Sequence, residues 1–128
     1  MKLLLDSNIV LPLVRRERQR LGAQVDHLLS TGADDTFVSI ASLWEIAIKA
    51  RLGKLPLGFP VAQLSVTLAA FGYSLLAIDQ RHAVEDLLDQ PATNDPFDRM
   101  LLAQCQVEGM RLVTADRVLK NHPLVWRP

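Results

Sequence analysis

The fold of this chain is constrained most by short apolar runs that alternate with amphipathic segments. The apolar runs predict strands, and helical periodicity predicts helices between them. The expected strands are residues 2–5, 37–40, 73–78, 111–114 and 124–126, and the clearest expected helices are residues 18–30, 41–52, 61–71, 80–88 and 97–109. Strands that alternate with helices favour a mostly parallel sheet covered by helices on both faces. The 128 residues show no linker or repeat, so one α/β domain over residues 1–128 is expected.

Charge and cysteine content narrow the classes of function. The 14 basic and 14 acidic residues leave no net charge, so any binding of nucleic acid must rely on local basic patches. The single cysteine, Cys105, lies in an apolar helical segment, which favours a packing role and a reducing, cytoplasmic compartment. Polar residues interrupt the most apolar stretch, residues 61–78, and the first residues lack the apolar core of a signal peptide. We therefore expect no membrane association.

Residues 94–104, NDPFDRMLLAQ, place two carboxylates three positions apart at the start of a predicted helix. Asp95 before Pro96 is typical of an N-cap followed by proline at the first helical position. Asp98 then lies near the positive end of the helix dipole. Taken alone, this motif is more typical of a helix cap than of a catalytic site. A functional interpretation depends on acids elsewhere in the chain.

Three further acids follow predicted strands or lie close to their ends. Asp6 ends the first strand, Asp116 follows the fourth, and Glu45 lies one turn into the helix after the second. Ligands of open parallel sheets bind outside the carboxyl ends of the strands, so these acids and Asp98 are expected at one rim. Crowded carboxylates repel one another, and a cation would balance their charge. Oxygen ligands without His or Cys favour Mg²⁺ or Mn²⁺ over zinc.

Each of these acids also has a structural interpretation. Ser42 and Glu45 have the S-x-x-E spacing of a capping box, and Glu45 stands four residues before Lys49, as in a helical ion pair. Asp6 and Asp116 are suitable caps for the helices that would follow them. Only the joint placement of the acids favours a functional site.

The motifs LLLDSNIVL, SIASLWEIAIKARLGKL, DPFDRMLLAQ and LVTAD together resemble a PIN-domain ribonuclease, and most of all the VapC-type toxins of bacterial toxin–antitoxin pairs. The resemblance runs over about residues 2–126 and implies a three-layer α/β/α sandwich. It implies a Mg²⁺- or Mn²⁺-dependent endoribonuclease that hydrolyses RNA phosphodiester bonds. It also implies a small antitoxin protein as partner, a homodimer, and a toxin–antitoxin hetero-oligomer.

The resemblance carries an acidic metal site onto Asp6, Glu45, Asp98 and Asp116, with Asp95 as a supporting cap. Asp6 and Asp98 are the expected main metal ligands. For Glu45 and Asp116, water-mediated binding, a second ion and orientation of the nucleophile all stay open.

Other polar residues are expected to support these acids. Ser7 and Thr114 are candidates for hydrogen bonds to the carboxylates, and Arg99 is equally a candidate for phosphate contact or for an ordinary ion pair. Relatives commonly have Thr and His at residues 7–8, and His and a basic residue at residues 93–94, where this chain has SN and TN. These departures lie beside the expected site without removing an acid, so they would alter substrate choice.

Two basic clusters are candidates for binding an RNA backbone: Arg15, Arg16, Arg18 and Arg20 in the first, and Lys49, Arg51 and Lys54 in the second. A solvated helical face is the more common explanation of such clusters. Aromatic residues make up 5% of the chain, which argues against recognition by base stacking.

A second class of function is a PIN-like module that binds a partner protein, with acids that are structural rather than catalytic. Apolar helical faces such as residues 61–71 would supply its interface. A small-molecule enzyme or phospho-acceptor on a flavodoxin-like sheet is a weaker third class, because the chain lacks a Gly-rich phosphate loop and a D-x-D pair after the first strand. Chelator-sensitive cleavage of RNA would separate the nuclease from the other two.

Overall fold

Four parallel strands form the centre of the computed structural model, which describes residues 1–32 and 34–128. The strands are β1 (Lys2–Leu5), β2 (Asp35–Ser39), β3 (Ser74–Leu76) and β4 (Met110–Val113), in the spatial order β3-β2-β1-β4. Strand β1 is central, and its Leu4 is in register with Phe37 on one side and with Leu112 on the other. The three strand pairings are parallel, which confirms the predicted sheet.

Helices connect the strands and cover both faces of the sheet. They are α1 (Ser7–Val14), α2 (Ala23–Ser30), α3 (Ile40–Arg51), α4 (Leu64–Ala70), α5 (Gln80–Ala83) and α6 (Pro96–Glu108). Two short 3-10 helices, Arg18–Leu21 and Val61–Gln63, precede α2 and α4. In the part of the chain that the structure describes, no helix is long and apolar enough to cross a membrane.

Two apolar cores lie on opposite faces of the sheet, because successive side chains of a strand point to opposite sides. Leu3 and Leu5 pack into the core that α1, α3 and α4 close, whereas Leu4 packs into the core that α6 closes. All three leucines are fully buried, as expected for a central parallel strand. Cys105 packs into the second core, where burial raises the pKa of its thiol to about 12. The three-layer α/β/α sandwich and the packing role of the cysteine are therefore confirmed.

The helix predicted over residues 18–30 is wrong as one continuous helix. Gly22 interrupts it with a φ of 82°, which an α-helix cannot contain, so a 3-10 helix precedes α2. The helix predicted over residues 61–71 also divides, because a hydrogen bond from the N–H of Gln63 to the carbonyl of Pro60 forms a tighter turn before α4. The helices predicted over residues 41–52 and 97–109 are confirmed within one residue at each end.

The helix predicted over residues 80–88 is wrong beyond residue 83, where α5 ends. Leu87 is drawn into the core beside α6, and the N–H of Leu88 donates to Oε1 of Gln106 at 3.0 Å. Tertiary contacts thus replace the hydrogen bonds that would have continued the helix.

Other elements differ from expectation in smaller ways. The strand expected over residues 124–126 is a single bridge between Leu112 and Val125. Strands β2 and β4 begin one or two residues earlier than predicted and end one residue earlier, and β3 is three residues long where six were predicted. Helix α1 is not among the predicted helices, because its internal Pro12 and β-branched residues have low helix propensity. Packing of its apolar face into the first core stabilises it nonetheless.

Candidate active site

Asp6 lies at the carboxyl end of the central strand and has 3% of its surface exposed. It is the N-cap of α1, and its Oδ1 accepts the N–H of Ser7 at 2.7 Å. Its Oδ2 accepts the hydroxyl of Thr114 at 2.7 Å and the side-chain amide of Asn8 at 3.5 Å. Donors from both ends of the chain therefore hold this carboxylate in place.

Glu45 is joined to Asp6 through one hydroxyl group. Ser7 Oγ donates to Oε1 of Glu45 at 2.7 Å and lies 3.5 Å from Oδ1 of Asp6. The other oxygen of Glu45 accepts from Nζ of Lys49 at 3.0 Å, which confirms the expected ion pair along the helix. The two hydrogen bonds occupy both oxygens of a carboxylate that is itself buried.

The capping box predicted at the start of α3 is wrong. Ser39 is the N-cap, and its Oγ accepts the N–H of Ala41 at 3.0 Å. The Ser42 hydroxyl is buried and finds no hydrogen-bond partner among residues 1–32 and 34–128. The cap falls earlier than expected because the chain turns into the helix directly at the end of β2. Glu45 consequently has no capping role.

Asp98 occupies the position predicted for it in the first turn of α6. Asp95 is the N-cap, and its Oδ1 accepts the N–H of Phe97 at 2.8 Å and that of Asp98 at 3.2 Å. Pro96 follows at the first helical position. Oδ2 of Asp98 lies 3.4 Å from the hydroxyl of Thr93, a weaker hydrogen bond than the two at 2.7 Å that Asp6 accepts. The capping prediction is confirmed, and Asp98 keeps more unused acceptor capacity than Asp6.

Thr114 joins Asp116 to the rest of the cluster. Its Oγ accepts the N–H of Asp116 at 3.0 Å and donates to Asp6. Oδ1 of Asp116 accepts the N–H of Val118 at 2.9 Å, so Asp116 also caps a turn. The Asn8 amide donates to Thr114 Oγ at 3.3 Å, and its Oδ1 accepts the N–H of Ala115 at 3.0 Å. Asn8, to which the sequence assigns no such role, thus ties α1 to the loop after β4.

Burial is the largest cause that raises the pKa of Asp98, to about 7. Neighbouring carboxylates raise it further, because their negative charges disfavour ionisation. In decreasing order of effect they are Asp95, Asp6, Asp116 and Glu45. Interactions between charges weaken with distance and are screened by dissolved salt. Carboxylates that raise one another's pKa must therefore lie in the same part of the molecule. The structure thus brings together acids that are far apart in the sequence.

Asp6 is also buried among acids, but hydrogen bonds oppose the effect of burial on its pKa. Burial raises its pKa above the ordinary value, while the hydrogen bonds from Thr114 and Ser7 oppose that rise by favouring the ionised form. The charges of Glu45 and Asp116 raise the pKa further. This part of the molecule, called the acidic pocket below, therefore concentrates negative charge on buried and half-buried carboxylates, an environment that favours a cation.

The donor set of this pocket consists of hard carboxylate and hydroxyl oxygens, which suit Mg²⁺ or Mn²⁺. Among the residues that the structure describes, no group of three or more Asp, Glu, His or Cys side chains is arranged so that it could hold a metal ion. Mg²⁺ in proteins commonly binds one or two carboxylates and completes its shell with water and substrate phosphate. The chemistry of the donors fits such an ion without a complete protein cage.

Several of the candidate RNA-binding cations are engaged within the protein. Arg15 donates to the carbonyl of Pro56, Arg18 pairs with Asp26, and Arg20 pairs with Glu17 at 3.1 Å. These local partners favour the structural interpretation of the first basic cluster.

Arg99 also has a partner within the protein. Its Nη1 donates to Oε1 of Gln90 at 3.0 Å. Its observed partner is therefore a neutral amide, and contact with phosphate stays a prediction.

Comparison with known proteins agrees with this architecture. The family model described as PIN domain matches residues 3–123, a range that includes Asp6, Glu45, Asp98 and Asp116. Over 106 residues the chain is 30% identical to the protein named Ribonuclease VapC22 from Mycobacterium tuberculosis (strain ATCC 25618 / H37Rv). That alignment covers 83% of this chain and 81% of the relative. The chain therefore belongs to the PIN-domain family and is a relative of the VapC ribonucleases.

Proposed function

We propose that this chain is a Mg²⁺- or Mn²⁺-dependent endoribonuclease whose metal site consists of Asp6, Glu45, Asp98 and Asp116. The observation that carries the proposal is the crowding of these acids at the carboxyl edge of a parallel sheet, where burial chiefly, and the neighbouring carboxylates in addition, raise the pKa of Asp98 to about 7. Pockets of coupled carboxylates with perturbed pKa values are typical of functional sites. The similarity to a protein named as a ribonuclease supports RNA as the substrate.

The side chains divide into ligands and supports. A divalent ion bound in this pocket would supply positive charge to the scissile phosphate and activate a water molecule. Asp6 is suited to ligation because its hydrogen bonds orient it before substrate arrives. Asp98 is suited because its acceptor capacity is largely unused, and because a bound cation would offset the burial and the neighbouring charges that raise its pKa.

Glu45 and Asp116 differ from these two in their surroundings. Both oxygens of Glu45 accept short hydrogen bonds, from Ser7 and from Lys49, so Glu45 is better suited to positioning than to direct ligation. One oxygen of Asp116 is used by the turn that it caps, which leaves the other for water or a second ion. Thr114, Asn8 and Ser7 would act through the carboxylates that they orient.

The VapC relationship supports a role as the toxin of a toxin–antitoxin pair in the cytoplasm, with a small antitoxin protein as partner and a homodimer as the free form. One surface favours a protein partner in particular. Exposed or half-buried apolar side chains on α3 line an open groove of about 310 Å³. They include Ile40, Leu43 and Trp44, and Val61 and Leu64 also line the groove. A module that only binds protein would use this groove and would not need the acids.

RNA cleavage by the purified, partner-free protein tests the nuclease proposal. Total RNA is incubated in Mg²⁺ or Mn²⁺, with and without a chelator, beside the Asp6→Asn variant. The exposed Asp86, changed to Asn, is the matched control. Discrete fragments that disappear with chelator and with Asp6→Asn, but not with Asp86→Asn, are expected. Unchanged cleavage by folded Asp6→Asn would overturn the assignment of the site.

A further inference from the structure

Trp44 is a large aromatic residue with 59% of its surface exposed, and it lies on a helix that carries one of the candidate acids. On α3 it directly precedes Glu45. Its ring also meets that of Phe97, which directly precedes Asp98 on α6. The ring centroids are 5.7 Å apart and the planes are inclined by 71°, an edge-to-face arrangement. The aromatic pair therefore joins the two helices that carry two of the candidate ligands.

Phe97 is a fixed support for this ring. It packs against the core on the α6 face of the sheet, and its N–H donates to the cap Asp95 at 2.8 Å. An edge-to-face contact covers at most one face of the Trp44 ring, which agrees with the large exposed fraction of the residue. A flat, apolar face is thus held open to solvent at the contact between the two helices that carry Glu45 and Asp98.

The charge of the pocket determines what such a face is useful for. The affinity of a protein for nucleic acid comes mainly from lysine and arginine side chains that pair with phosphates. The pocket instead holds carboxylates, and Lys49 is already paired with Glu45. A contact that does not depend on charge would hold RNA against this repulsion, and stacking of a base on an aromatic ring is such a contact.

We propose that Trp44 binds substrate by stacking on an unpaired nucleobase adjacent to the scissile phosphate. The inference rests on the proposed nuclease function and names how that site holds RNA. A base inside a duplex has both faces covered by its neighbours, so the ring selects single-stranded or looped RNA. The low aromatic content of the chain argues against stacking at many positions. It does not argue against a single stacked base, for which one exposed ring is sufficient.

The first test measures the fluorescence of Trp44 as RNA binds. Trp44 and Trp126 are the two tryptophans of the sequence, so Trp126→Phe leaves one reporter. In an Asp98→Asn background, which prevents turnover, the fluorescence of Trp44 is titrated in Mg²⁺ with single-stranded RNA of about eight nucleotides. An abasic ribose-phosphate oligomer of equal length is the control ligand. Saturable quenching by RNA but not by the abasic oligomer is expected, and equal responses to the two would overturn the proposal.

Variants at the same position separate stacking from general apolar contact. Trp44→Leu is expected to weaken RNA binding by between about five-fold and about 150-fold, whereas Trp44→Phe retains most of the affinity. Phe71 is the matched control, since it is 45% exposed and pairs with Tyr73 at a different surface. Phe71→Leu should leave RNA affinity unchanged. Equal RNA affinity of Trp44→Leu, Trp44→Phe and the parent would assign the ring to a protein partner in the α3 groove and overturn the proposal.

Failure of this inference and failure of the nuclease proposal give different results. Chelator-sensitive cleavage by the parent protein, together with a Trp44 signal that does not depend on bases, overturns the stacking role alone. Absence of cleavage by folded protein overturns the nuclease proposal, and stacking beside a scissile phosphate fails with it, whatever the fluorescence shows. Thermal unfolding of every variant checks that lost binding does not reflect lost structure.

Discussion

Helices α5 and α6 both begin at an aspartate cap, but the charges around the two caps differ. At α5, a hydrogen-bonded Arg81 lowers the pKa of the exposed Asp79 to about 2. At α6, burial and neighbouring acids raise the pKa of Asp98 to about 7. The sequence signature of a cap is thus compatible with a neutralised structural site and with an accumulation of negative charge. The difference lies in the cations and carboxylates that the fold brings nearby.

Replacement of an aspartate at the start of α6 should affect RNA cleavage far more than replacement of one at the start of α5. Asp98→Asn should lower the rate of RNA cleavage at least about 100-fold, because it removes a proposed ligand. Asp79→Asn should leave the rate unchanged, since asparagine also caps helices well. Initial rates in Mg²⁺ measure both. Similar losses in the two variants would show that the charge difference between α5 and α6 has no catalytic meaning.

A smaller effect is expected at the hydroxyl that connects the acids. Thr114→Val removes the donor to Asp6 and the acceptor for the N–H of Asp116, and should lower cleavage by about 10- to 100-fold. Loss of that donor also removes an effect that lowers the pKa of Asp6, so the acid limb of the pH profile should move to higher pH.

Thr67→Val is the matched control for Thr114, because the Thr67 hydroxyl donates to the carbonyl of Gln63 within its own helical region. It should change neither the rate nor the pH profile. A Thr114→Val variant with a reduced rate and an unmoved pH profile would point to a general loss of structure rather than to an effect on Asp6.

A smaller effect is expected on the pH dependence of stability. Its direction differs between α6 and α5, because folding raises the pKa of Asp98 and lowers that of Asp79. The pKa of Asp98 is raised on folding, so without metal the free energy of unfolding should fall as pH rises from about 4 to about 7. Asp98→Asn removes this penalty and should stabilise the metal-free protein at pH 8 by about 1 kcal/mol, after allowance for the partial exposure of the group. Urea unfolding in chelator at pH 5 and pH 8 measures the difference.

Asp79 provides the contrast in the same experiment. Its pKa is lowered on folding, so its contribution is present above about pH 4 and is lost as pH falls toward about 2. Asp79→Asn should therefore change stability little between pH 5 and pH 8. A pH dependence that persists in Asp98→Asn would assign the effect to another group.

The architecture follows from the sequence because its signals are local. The continuous apolar run of β1 predicts a central parallel strand, and Asp95 followed by Pro96 predicts the start of α6. The predictions of helices over residues 18–30 and 80–88 are partly wrong, because one residue or one tertiary contact outweighs the helical pattern of apolar residues. Gly22 breaks the first through its backbone, and burial of Leu87 ends the second.

The candidate acids are visible in the sequence because each stands at a recognisable position near a strand or helix end. The residues that hydrogen-bond to these acids are harder to predict from the sequence. Ser7 was expected as a hydrogen-bonding residue, but its link to Glu45 joins two elements whose separation depends on the packing of α1 and α3. Asn8 has only one local signal, a polar side chain in the first helical turn after Asp6. The contact between Trp44 and Phe97 has none, because aromatic residues on two helices show no pairing in the sequence.

The parallel sheet, the cap of α6, the resemblance to the PIN-domain family and the placement of the acids near strand and helix ends can all be predicted from the sequence. These features depend on patterns within a few residues, or on motifs read along the chain. The hydrogen-bond partners of the acids, the raised pKa of Asp98 and the contact of Trp44 with Phe97 emerge from the folded chain. Such properties depend on distances between groups such as Asn8 and Thr114, which are 106 residues apart in sequence and in hydrogen-bond contact once the sheet has formed.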